Sequence, residues 1–319
     1  MMRARPTAAS LLIVLFALCG AACGSGTTRS TGPDSAGAVP AATRKPGTGK
    51  PAVTLGTKNF TEELILGQLY AQALRAKGFA VTLKSDIGPS EQVDRALAAK
   101  QIDGYPEYTG TILSVFGHNT QRPSSAIQAY QLAAAVEQRR GTKLLAMAPA
   151  SDTDVIVTKP LYASRHHVRS LADLAGLDAT ATLAGPPEFR TRFNGLVGLR
   201  QDYGITALRF LPLRIGGQYQ ALNEGHAQLA VAFTTDGNLT RGGYVMLSDP
   251  KGTFGFQNVT FVVRSAVLSR EGPAFAQTVN AVSARLSTQA LRVMNADVAL
   301  DQQTPSAVAQ QFLGANGLL

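Results

Sequence analysis

The chain is poor in the residues that most often carry chemistry. Of 319 residues, two are cysteine, four are histidine and none is tryptophan. Both cysteines, Cys19 and Cys23, fall near the start, so the body has no thiol for a disulfide framework, a Cys-based zinc site or dithiol redox chemistry. His118, His166, His167 and His226 have no partners at metal-ligand spacing. No Gly-x-Ser-x-Gly occurs, and Gly47-Thr48-Gly49-Lys50-Pro51 lacks both the upstream glycine and the following Ser/Thr of a phosphate loop. With no nucleophile, base or metal in a recognisable setting, no enzyme activity, cofactor or metal is expected. No run of three Lys or Arg occurs either, which with the missing tryptophan argues against a nucleic-acid groove. The net charge of +9 is unevenly placed: residues 1–51 hold six basic residues against Asp34 alone, which leaves the body mildly basic.

Those first residues read as an address. Arg3 and Arg5 precede an apolar stretch, Ala8 to Leu18, followed by Cys19-Gly20-Ala21-Ala22-Cys23-Gly24. The stretch is well short of the roughly 20 residues a helix needs to cross a bilayer. Gly-Ala-Ala-Cys resembles a bacterial lipobox, with Gly20 where leucine is usual. The expectation is a lipoprotein signal peptide over 1–22, Cys23 as the acylated mature N-terminus, and a flexible tether over 23–51. Glycine, serine, threonine, proline and alanine dominate the tether, too little apolar surface to order it. Such a chain is extracytoplasmic and anchored to the cell membrane through lipidated Cys23.

Length sets the next expectation, since a chain of this size exceeds one comfortable core and favours two lobes. From Val53 the pattern is βαβαβ: Ile65, Leu66, Leu69, Tyr70, Ala73 and Leu74 recur at helical spacing, Phe79, Val81 and Leu83 alternate as a strand, and 102–105 forms a short strand that opens into a loop. A second set of alternating strands and helices runs from Thr153 to Phe233. The segments after Pro250 hold too little sheet for a third domain and are expected to return to the first lobe. The predicted architecture is α/β, with lobe 1 over 52–149 and 250–319, lobe 2 over 150–249, and a two-stranded hinge near Pro149 and Pro250. At an offset of 125 residues Ala96-Leu97 matches Ala221-Leu222, Tyr108 matches Phe233 and Thr109 matches Thr234. Loops after the carboxyl ends of parallel strands are where such sheets bind ligands, so Tyr108 and Phe233 are expected to face one cleft. Two lobes without a catalytic constellation imply a receptor for a small solute.

Thr57-Lys58-Asn59-Phe60-Thr61-Glu62 and the run from Ile102 through Tyr105-Pro106-Glu107-Tyr108-Thr109-Gly110-Thr111 resemble the osmoprotectant-binding proteins of ABC importers, the glycine betaine/carnitine/choline receptors. Further matches are Pro187-Glu188-Phe189, Asn194-Gly195-Leu196, Tyr219-Gln220-Ala221-Leu222 and Thr234-Thr235-Asp236-Gly237. The resemblance implies the two-lobed type II periplasmic-binding-protein fold, a permease with its ATPase as partners, and a cage of tyrosines around the ligand's trimethylammonium head. A quaternary ammonium has no N–H to donate, so ring faces attract it, each worth roughly 0.5–2 kcal/mol. Carried over, the first cage position falls on Tyr108 with polar Thr111 beside it, the second on Asp154, the third on Phe233 and the fourth near Gln257. Lys58 falls near the ligand's anionic end.

Two of four rings are thus replaced, which costs roughly 1–4 kcal/mol in affinity for such a cation. Asp154 would attract a cation directly. The same residues would suit a larger, hydroxylated or aromatic neutral ligand, and a non-transport sensor would use the same lobes. Each position also has a structural alternative: Phe233 as core, Asp154 as an inter-lobe or hinge contact, Lys58 as a solvated surface charge, and Glu107 and Glu188 as loop-fixing or permease-facing acids.

Overall fold

The computed structural model describes residues 44–119, 122–177 and 181–319. The expected signal peptide, Cys23 and the tether as far as Thr43 lie outside the described residues. Ten strands form two sheets. The first contains β1 (Val53–Gly56), β2 (Val81–Lys84), β3 (Gly104–Tyr108), β4 (Thr142–Leu144) and β10 (Val259–Arg264) in the order β2-β1-β3-β10-β4. The second contains β5 (Asp154–Thr158), β6 (Thr182–Gly185), β7 (Arg209–Pro212), β8 (Leu229–Phe233) and β9 (Val245–Met246) in the order β7-β6-β8-β5-β9. In each, three strands run parallel and the fourth in order is antiparallel.

The helix Thr61–Ala76 shows how sequence becomes packing. Its apolar residues at i, i+3 and i+4 put Ile65, Leu66, Leu69, Tyr70, Ala73 and Leu74 on the first core, all essentially fully buried. Tyr70 meets Phe261 of β10 edge-on at 5.0 Å, and its hydroxyl pairs with Ser283 at 3.0 Å. The helices Pro273–Ser283, Thr288–Ala299 and Pro305–Ala315 pack on this same core, so the C-terminal segment does return to the first sheet.

Two expectations need correction, and one helix is new. The strand expected to end at Tyr105 continues through Pro106 to Tyr108, because β10 pairs with it from Val263↔Gly104 to Val259↔Tyr108. That partner is about 150 residues away and invisible to local patterning. The tether does not extend to Pro51. Gly47 is buried, its N–H donates to Lys77 O at 2.9 Å, and a Cβ on it would collide with the backbone and ring of Phe79. The helix Ala126–Arg139 was not foreseen, since small Ala129 and Ala133 carry its buried face.

Chain passes twice between the sheets, and the two passes are paired. Ser151 bridges Asn258 antiparallel, and the Asp152 N–H donates to Gln257 O at 2.9 Å. Phe254 still packs in the second core while Phe256 packs with residues of the first sheet, so the return crossing falls between them, beyond Pro250.

Candidate functional site

Strand ends and crossings converge on one cavity. Tyr108 closes β3, Phe233 closes β8, Asp154 opens β5, Gln257 follows the return crossing, Thr111 sits in the turn after β3, and Lys58 follows β1. All six line the same cavity between the sheets. The pairing explains why: Tyr108 is opposite Val259 and Phe233 is opposite Asp154, so each aromatic lies where its sheet meets the crossing.

Phe60, just before the first helix, is the ring that the sequence reading missed as a cavity residue. It stacks on Phe233 at 5.8 Å and on Tyr108 at 6.4 Å, bridging rings from the two sheets. The only sequence signal was its place in the Lys58-Asn59-Phe60-Thr61 run, where it counts equally well as a hydrophobic residue leading into a helix.

Lys58 is not solvated; it is 3% exposed. Its Nζ donates to Glu107 Oε1 at 2.5 Å, lies 3.3 Å from Glu63 Oε1, and stands over the Tyr108 ring, 4.0 Å from the centroid. One face of Tyr108 therefore already carries a cation supplied by the protein. Burial pushes the Glu63 carboxyl up to about 8, although Lys58 pulls it back. Glu107 is fully buried and also accepts from the Tyr108 N–H at 2.8 Å, so it fixes this loop from inside and cannot face a permease. The Tyr108 hydroxyl donates to Glu62 at 2.8 Å.

The opposite wall is held by the second sheet. Burial pushes Asp154 up to about 7, partly offset by Arg192 and by a 3.0 Å hydrogen bond from the Asn194 amide. Among the described residues Asp154 makes no salt bridge, so it is a weaker attractor for a cation than a fully ionised aspartate. Arg192 reaches across the cleft with paired bonds to Glu91, 3.1 Å to Oε1 and 2.9 Å to Oε2. Gln257 accepts from the Thr111 N–H at 3.0 Å, which ties the end of the return crossing to the turn after β3. Glu188, Phe189 and Asn194 complete this wall. The free space enclosed is small, about 50 Å³.

Two α/β sheets joined by paired crossings, with aromatic rings and buried charges lining the cavity between them, define a two-lobed solute-binding fold of type II. Residues 51–315 match the family described as the substrate binding domain of ABC-type glycine betaine transport systems, and the chain belongs to that family. A glycine-betaine-binding protein of Pseudomonas aeruginosa is 31% identical over 276 residues, 83% of this chain and 88% of the relative. The glycine betaine-binding protein YehZ of Escherichia coli is 30% identical, covering 83% and 90%. The solved structure of apo YehZ superposes with a TM-score of 0.60 at 28% identity over 84% of this chain and 99% of that one. A glycine betaine/carnitine/choline ABC transporter structure gives 0.67 at 20% identity, covering 83% and 99%, a likeness of fold.

Proposed function

We propose that the protein is the extracytoplasmic receptor of an ABC importer that binds osmoprotectants of the glycine betaine, choline, carnitine and proline type and delivers them to the permease. One observation carries this reading. The cavity presents the rings of Phe60, Tyr108 and Phe233 together with the cations Lys58 and Arg192, so a zwitterion finds ring faces for its methylated end and charge for its carboxylate. Lys58, Tyr108, Thr111, Asp154, Phe233 and Gln257 are the proposed ligand-contacting side chains. The chain binds its solute without transforming it, and uses no cofactor or metal. Lobe 1, built on the first sheet and the C-terminal helices, closes against lobe 2 about the paired crossings. Lipidated Cys23 holds the receptor at the membrane beside the permease and its ATPase. Calorimetric titration with betaine, choline, carnitine and proline tests the ligand class; no binding by any of the four rejects it. Metabolic labelling with a fatty acid, with Cys23→Ala as control, tests the anchor.

A second ligand reading rests on Lys58. Its ammonium already occupies a face of Tyr108 and repels an incoming cation, which disfavours choline most because choline brings no carboxylate. The pocket then favours a larger neutral, hydroxylated or aromatic ligand, and micromolar betaine binding would sink this alternative. A sensing role in place of transport is separated by solute uptake in cells carrying and lacking the gene.

A further inference from the structure

Phe60 stands between two spaces. It lines the first cavity, and with Asn59, Asp152, Ile215 and Phe233 it also lines a second one of about 270 Å³. The aromatic members of that shared wall are Phe60 and Phe233. Phe60 leads into the helix on the first sheet, whereas Phe233 closes β8 and Ile215 follows β7 in the second, so the wall is assembled from both sheets.

Phe60 is the movable part of this wall. Its side chain has no polar atom, is half-buried, and is held by packing and by the stacks at 5.8 and 6.4 Å. Its backbone is fixed. It is extended, with φ −141° and ψ 162°, and its carbonyl accepts from the Leu64 N–H at 3.1 Å where the helix opens. A residue just outside a helix keeps rotamers that the preceding turn forbids inside one, so the ring can change wells while the backbone stays in place. On its far side the second cavity has free space, with Leu64, Ile215 and Tyr219 as apolar surface for a ring.

The ring stands where a ligand must go. Lys58 Nζ lies 4.0 Å from the Tyr108 centroid and 5.7 Å from that of Phe60, so lysine and ring crowd one approach to Tyr108. The first cavity's free space of about 50 Å³ admits roughly four water-sized groups, and glycine betaine has about twice that many non-hydrogen atoms.

We propose that Phe60 is a swinging partition that determines which solutes the first cavity accepts. Stacked on Phe233 and Tyr108, it fills the room a trimethylammonium group needs. Turned into the second cavity, it yields that room and leaves Tyr108 and Phe233 as the ring faces for the methylated end. Apparent affinity is then reduced by the fraction of molecules in which the ring is turned away. Longer solutes need the ring further aside, so the partition favours short ones. The proposal deepens the reading of the first cavity as the solute site and rests on it.

Calorimetric titration of the full-length protein with glycine betaine and with carnitine tests it. Phe60→Ala is expected to tighten betaine at least about threefold and carnitine at least about tenfold, with Phe60→Leu in between. Phe60→Leu carries the test if the smaller variant does not fold. A ring that is a fixed wall of the cage gives the opposite sign, so loss of affinity, or no change, for both solutes overturns the proposal. A second readout needs no solute. With para-fluorophenylalanine at position 60 alone, the fluorine resonance is expected to be split, exchange-broadened or shifted by temperature, as for a ring that shares two positions. One sharp resonance with a temperature-invariant shift overturns the proposal, whether or not any solute binds. Failure of every solute to bind beside a two-position spectrum rejects the ligand class and leaves the partition standing.

Discussion

The two sheets share one topology, and the comparison is sharpest at their ligand-facing ends. β3 and β8 hold the same place in the strand order, each beside an antiparallel strand that leads out of or into a crossing, and each ends on an aromatic residue. The rings are secured differently. Tyr108 is 5% exposed, tied to Glu62 through its hydroxyl and covered by Lys58, whereas Phe233 has no hydroxyl, is half-buried and gains its position from stacking on Phe60. The first sheet presents a ring locked by hydrogen bonds and charge. The second presents one held by stacking alone.

Lys58→Met breaks the comparison most severely. It strands Glu107 in the core without its cation, and a loss of about 3–5 kcal/mol is expected in denaturant titrations, with Lys58→Met/Glu107→Leu recovering much of it. Protonation is next. Glu63 rises from 4.5 to about 8, and Asp154 and Asp236 from 3.8 to about 7 and about 6, each because burial disfavours its charged form. Folding therefore retains protons that the unfolded chain releases, so stability is fully present below about pH 4 and falls as pH rises to about 8. Thermal melts should show Tm dropping by several degrees from pH 5 to pH 8.5. Glu63→Gln should flatten the upper part of that slope, and Asp154→Asn the part below about pH 7.

Phe233→Ala removes the stacked ring, and affinity for a quaternary ammonium should fall by roughly 0.5–2 kcal/mol, about two- to thirtyfold, by calorimetry. A loss of binding below twofold would place Phe233 in packing alone. The mildest change is Tyr108→Phe, which makes the first ring resemble the second; losing the bond to Glu62 should cost about 1 kcal/mol of stability. A cross-lobe test lies at Gly237, where a Cβ would come within 2.5 Å of Ala296 backbone on the helix Thr288–Ala299. Gly237→Ala should hold the lobes apart and weaken ligand binding with little effect on the melting of either core.

Much of this was legible along the chain. The alternation of periods carries the two sheets and the first helix, and the 125-residue match between Ala96–Thr109 and Ala221–Thr234 marks equivalent strand ends. All six proposed contact residues lie around one cavity because strand ends are where loops must gather. Other features left no local trace. Lys58 reads as a surface charge in sequence, since nothing nearby announces that Glu107, 49 positions later, will be its buried partner. Phe60 reads as a helix leader, and its place between two rings depends on β3 and β8 coming together.

The sequence by itself determined the alternation of elements and the resemblance to a family of solute receptors, because periodicity and short motifs are local properties. Tertiary structure decided where β3 ends, which lysine lies on the tyrosine face, and that Phe60 stacks between rings of the two sheets. Each of those depends on pairs far apart in the chain, which meet only when it folds.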